Sequence, residues 1–239
     1  KLKIYECVRR SHTIRLIDPF LETLTQAAHV SQRRLYELAR SLATESPDRE
    51  PVKLGIAVIA LFHRPEDTEI FRVLGRHDEF TPYCAVAIAG SGGNPESELW
   101  EMAKDVHGWG RIHLVERLSD TQDPRIKDWL LREGYKNSVM NEYLAHTCAT
   151  SGGLLAALEQ DQIDDELLTC AGEILAALIQ GGPAENIDDY EDGAAAVECC
   201  LKHLKAGRAY SLAQFAALDA IRGFLSEEDA DWGQRESRG

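Results

Sequence analysis

The sequence predicts an all-α fold, an α-solenoid of stacked antiparallel helical hairpins, and three observations carry that expectation. Runs rich in Ala, Leu and Glu dominate from Pro19 onward, whereas the period-two alternation of strands is sparse. Large aromatic residues recur at a fixed step: Trp100 and Trp129 stand 29 residues apart, and the same step backwards reaches Phe71. Pro95 and Pro124 keep the step, as do Phe80 and Trp109. A period of roughly 20 to 50 residues marks supersecondary units too small to bury their own apolar faces, so that neighbours complete one another's core.

Taken in order, residues 1–17 give no clear pattern, with Lys3 to Val8 alternating only weakly. Helices are expected over Pro19–His29, Gln32–Thr44 and Pro51–Phe62, the last two separated by the turn Glu45–Glu50. In the repeats, first helices run from Phe71, Trp100 and Trp129 to a polar or glycine turn. Each is preceded by a proline turn: Arg64-Pro65, Asn94-Pro95 and Asp123-Pro124. In the last two, Asn or Asp as N-cap accepts orphan amides, and proline at the first helical position lacks the amide it would leave unused. Second helices follow over Thr81–Ala89, Gly110–Leu118 and Ser138–Ala149. At the 29-residue step Val86, Val115 and Leu144 share one position, and Ala85, Leu114 and Tyr143 another. The aromatic of each first helix is expected to wedge between units. Further helices are expected over Gly153–Glu159, Asp164–Gln180, Tyr190–Lys205 and Leu212–Leu225, with Asp164 and Ser211 as caps and Gly181–Asp189 as a long acidic connection.

Two antiparallel helices per unit, aromatic and small apolar residues in register, and a proline opening the first helix resemble the short variety of HEAT-like repeats. The resemblance covers residues 64–149 and reaches the flanks by extension. It implies a curved solenoid that serves as a binding scaffold. A few members of the family are enzymes, including DNA glycosylases that hold the duplex in a basic groove, and this acidic chain departs from that pattern.

With 239 residues, 44% of them hydrophobic, the chain can bury a large core. The reading is one HEAT-like solenoid domain over 18–225, clearest at 64–149, followed by a polar tail, 226–239, expected to fray. The net charge of −14 is uneven: +2 over residues 1–50, −4 over 51–150 and −12 over 151–239. Such acidity repels phosphate backbones and makes nucleic acid an improbable ligand. Apolar runs fall short of the ~20 residues of a membrane span. The six cysteines include no CxxC pair, which fits free thiols in the cytoplasm.

Second helices line the concave face of a helical-hairpin solenoid, so their polar residues are the candidate contacts. Those are Trp109, Arg111, His113 and Glu116 from one unit and Asn137, Asn141, Glu142 and His146 from the next. Glu142 and His146, four apart, with His113 a step of 29 before Glu142, form the best metal candidate. No full ligand signature such as HExxH is present, and neither metal nor cofactor is expected. Cys199 and His203, also four apart, read as part of a buried helix. Gly90–Asn94 lacks the lysine and spacing of a phosphate loop and reads as a turn. No catalytic residue is assigned. The expected function is a non-enzymatic scaffold that takes a protein or peptide, with Trp109 and Trp100 as aromatic contributors and Trp100 the one expected in the core. The alternatives are an enzyme built on the His, Glu and Asn cluster and, third, nucleic-acid binding through Arg9, Arg10, Arg33 and Arg34.

Overall fold

The computed structural model describes residues 2–27, 29–90, 92–206 and 211–226. Among them the chain is all-helical, with fourteen α-helices and no strand. No described helix is long and apolar enough to cross a membrane. The chain divides into two compact units, Lys1–Leu114 and Val115–Gly239. Of the expected tail, residues 227–239 lie outside the described residues.

The first unit holds α1 (Leu2–Arg9), α2 (Ile17–Gln26), α3 (Gln32–Glu45), α4 (Arg49–Ala60), α5 (Thr68–Leu74), α6 (Thr81–Gly90) and α7 (Pro95–Asp105), and α8 (Gly108–Glu116) runs through the boundary. The weakly alternating start is thus a helix; Ile4 and Val8 share one of its faces, a helical spacing that the eye can take for alternation. The Tyr5 hydroxyl donates to Asp48 Oδ2, tying α1 to the start of α4. Helix α4 packs most extensively on α3, and also on α6 and α1. The approach of α3 is close enough that a Cβ on Gly55 would lie 2.6 Å from Ala43 N and 2.7 Å from Ala39 O. Only glycine fits there.

The second unit holds α9 (Pro124–Trp129), a π-turn over Leu130–Gly134, α10 (Glu142–Gly152), α11 (Leu154–Leu158), α12 (Asp165–Gln180), α13 (Gly193–Ala206) and α14 (Leu212–Leu225). Helix α12 is its hub, packing on α10, α13 and α14. All four expected caps form: Asn94 accepts from Ser97 N at 3.3 Å, Asp123 from Arg125 N at 2.9 Å, Asp164 from Leu167 N at 2.7 Å, and Ser211 closes a reciprocal capping box with Gln214.

The burial pattern revises the period. Val86 is 56% exposed whereas Val115 and Leu144 are fully buried, so the 29-residue step does not keep one face. A step of 30 does. Leu54, Cys84, Leu114, Leu144 and Ile174 are all buried, as are Gly55, Ala85, Val115, Ala145 and Leu175, and Val58, Ile88, Leu118, Cys148 and Leu178. These are the same three slots, i, i+1 and i+4, in or directly after α4, α6, α8, α10 and α12. First helices run the other way: Leu99, Met102, Ala103 and Val106 are buried, and a step of 28 from the last three gives the buried Leu130, Leu131 and Gly134. Of the three aromatics Phe71 is buried, while Trp100 and Trp129 are half-buried, and the Trp100 ring carries Lys104 Nζ at 3.6 Å from its centroid.

Candidate functional site

The unit boundary at Leu114/Val115 divides the predicted contact residues. In the first unit Trp109 is 50% exposed and His113 is exposed, but Arg111 is only 4% exposed. Arg111 occupies the 30-residue slot of Thr81, which is buried too, so its guanidinium is a core group rather than part of the face that Trp109 presents.

The other five, Glu116, Asn137, Asn141, Glu142 and His146, belong to the second unit. Glu116 is exposed. Asn137 and Asn141 build the turn ahead of α10: Asn141 Oδ1 accepts from Asn137 N at 2.9 Å, and Asn137 Oδ1 accepts from Val139 N at 3.4 Å. This turn is why α10 starts at Glu142 rather than Ser138; asparagine side chains that satisfy local amides compete with helix. His146 packs edge-on to Tyr190, ring centroids 6.3 Å apart, with Nδ1 3.5 Å from Glu185 Oε2. Burial pushes the Tyr190 hydroxyl up to about 12.

Asn141 and Glu142 are brought together with residues that the sequence reading missed. They border an open cleft of about 390 Å³ whose other polar walls are Glu173 and Gln180 of α12 and whose apolar lining is Ile179 and a floor of alanines, including Ala177 of α12 and Ala213, Ala217 and Ala220 of α14. The floor is held by packing of α14 on α12 and by Gln214 Nε2 donating to Thr169 Oγ1 at 3.1 Å. Glu173 is fixed from beneath, because the Tyr135 hydroxyl, on a wholly buried ring, donates to Glu173 Oε2. Burial first, and then this hydrogen bond, pushes the Tyr135 pKa far up, so the phenol stays a donor. The cleft therefore offers two carboxylates, two amides and a row of methyl groups, a set suited to a cationic or amide-rich segment with small apolar side chains. The 30-residue register would have found Glu173, which shares its slot with His113 and Tyr143.

Glu142 and His146 do share a helix, but among the described residues no group of three His, Cys, Asp or Glu side chains is arranged to hold a metal. At the revised step His113 corresponds to Tyr143, not to Glu142. Cys199 is half-buried, its neighbour Cys200 is buried with the thiol pushed up by burial to about 12, and His203 Nε2 is engaged with Leu158 O at 2.9 Å. In the glycine turn, Gly92 and Gly93 both take φ of 82° and face Glu66, Glu69 and Glu98 across a second cleft, where Arg72 is held by Glu98 at 2.6 and 2.7 Å. Three carboxylates around one engaged arginine disfavour phosphate there. Three of the four arginines considered for nucleic acid face carboxylates: Arg9 lies 3.0 Å and Arg10 4.0 Å from Glu6, and Arg33 lies 2.9 Å from Glu37.

Compared with known proteins, the chain matches no protein-family model, no curated protein and no solved structure.

Proposed function

We propose that the protein is a non-enzymatic binding scaffold, an α-solenoid in the manner of HEAT-like repeats, that takes a peptide or a peptide-like segment of a partner protein. The observation that carries this reading is the alanine-floored cleft of the second unit, bordered by Asn141, Glu142, Glu173 and Gln180. Its walls bear carboxylates, amides and methyl groups, with no imidazole or thiol, which favours recognition over bond making. The solenoid reading is supported by buried slots that recur every thirty residues through five helices. All six cysteines are free, which supports a reducing compartment such as the cytoplasm.

A segment with one Lys or Arg between small apolar residues meets both features of the cleft, its cation at Glu142 and Glu173 and its methyl groups on the alanine floor. Panning a random peptide library against the protein, with an Ala216→Arg variant as counter-target, tests this. Ala216 is exposed, so the change blocks the cleft without entering the core. Enrichment of basic peptides that lose at least about tenfold in affinity on the variant is the expected result. Enrichment of peptides indifferent to Ala216→Arg, or none at all, would overturn it.

A further inference from the structure

The first unit carries another cleft, of about 410 Å³, where α1, α2 and α4 meet. Its walls come from Ile4, Cys7 and Val8 of α1, Leu16 and Phe20 of the next segment, and Leu54 of α4. The polar side chain among them, Thr13, is 2% exposed and turned to the interior: its hydroxyl donates to Glu50 O at 3.0 Å and its amide to Glu50 Oε2 at 2.6 Å. The cleft thus presents hydrocarbon and one thiol. An extended peptide laid in it would find no partners for its N–H and C=O groups, and that excludes an extended chain segment as the natural occupant. Hydrocarbon has no such need.

The surroundings select the charge of the ligand's other end. Residues 1–20 hold five Lys and Arg against two Asp and Glu, in a protein of net charge −14. Arg9 and Arg10 share Glu6, whereas Lys3 and Arg15 have no carboxylate partner among the described residues. The latter two are the chain neighbours of Ile4 and Leu16, which are 42% and 45% exposed. Two exposed apolar residues of the cleft thus adjoin an unmatched cation in the chain, while the exposed Pro19 adjoins Asp18, so that cations outnumber carboxylates around it.

We propose that this cleft binds an anionic single-chain amphiphile, a long-chain fatty acid, with the alkyl chain against Ile4, Val8, Leu16, Phe20 and Leu54 and the carboxylate at Lys3 or Arg15. Cys7 supplies a local reporter, since it is the exposed one of the six thiols; Cys199 is half-buried and the other four are buried.

The test titrates dodecanoate, below its aggregation threshold, into the full chain and follows alkylation of Cys7 by a small maleimide with peptide mapping. Saturable protection of Cys7 that slows alkylation about tenfold at saturation is expected, since a bound ligand closes the cleft in proportion to its occupancy. Leu16→Gln and Ile4→Gln, both at partly exposed positions, should weaken binding by about tenfold with helicity unchanged. Arg15→Glu should weaken it severalfold, and more so at low salt. Equal protection by dodecyltrimethylammonium, no saturation, protection unchanged in the Gln variants, or binding only to anionic phospholipid vesicles would overturn the proposal. Should a Gln variant unfold, the charge arms, Arg15→Glu and the cationic chain, still decide it.

Discussion

At the scale of single residues, Glu50 shows how one side chain joins separate parts of the sequence. It accepts from Thr13 N, ahead of α2, and pairs with Lys53 at 2.8 Å, while Lys53 also reaches Glu79 at 2.8 Å. Burial opposes ionisation of Glu50, but the bonds from Lys53 and Thr13 outweigh it and bring its pKa to about 2. A carboxyl whose folded value lies below its unfolded value stabilises the fold above the usual carboxylate range, and that stabilisation fades as pH falls toward the folded value. Glu50→Gln should therefore cost on the order of 3 kcal/mol near neutral pH, with the gap to wild type closing as pH drops through about 4 toward 2. Urea unfolding across that range checks it; a pH-independent gap would mean that the charge of Glu50 is immaterial. Residues whose role is local were legible in the sequence. Asn94, Asp123, Asp164 and Ser211 cap helices because capping needs only the next two or three amides. Arg111 was not legible, since its burial depends on neighbours far along the chain.

At the scale of elements, helix existence was readable and helix phase was not. A side chain's type reports whether a turn can be helical, but the buried face depends on which helices pack against it. Val86 and Val115 illustrate the difference: identical side chains a step of 29 apart, one exposed and one in the core. The same logic makes Gly55 decisive. Its slot holds Ala85, Val115, Ala145 and Leu175 in the later helices, yet the backbone of α3 blocks any Cβ on α4. Gly55→Ala should destabilise the first unit by about 1–3 kcal/mol or more despite alanine's better helix propensity, because the clash is with backbone that cannot rotate away. A thermal shift upward instead would show that α3 and α4 can part without loss. For the candidate site, Asn141 and Glu142 were legible as polar residues on a helix start, but Glu173 and the alanine floor belong to helices that the aromatic spacing never reached.

At the scale of the whole molecule, the acidity is not shared. The first unit has 15 Lys and Arg against 16 Asp and Glu, net −1; the second has 11 against 24, net −13. Like charges repel within the second unit, and the repulsion is screened once the Debye length falls to about 8 Å at physiological ionic strength. Raising salt from low to physiological levels should increase amide-exchange protection in helices α9 to α14 more than in α1 to α7. Equal gains in both would assign the effect to something other than charge. The division into two units could not be read from composition, because no Gly- or Pro-rich linker marks it: Leu114 and Val115 at the boundary are consecutive residues of α8, both fully buried.

The thirty-residue slots bear on how such a chain can gain or lose length. One extra residue inside a helix turns everything after it by about 100°, which moves apolar groups off the buried side. A block of thirty brings each later residue back to the slot of its predecessor. A change of thirty residues within this stretch would therefore leave the Cys84, Leu114 and Leu144 positions in phase with one another, whereas a change of one residue would not.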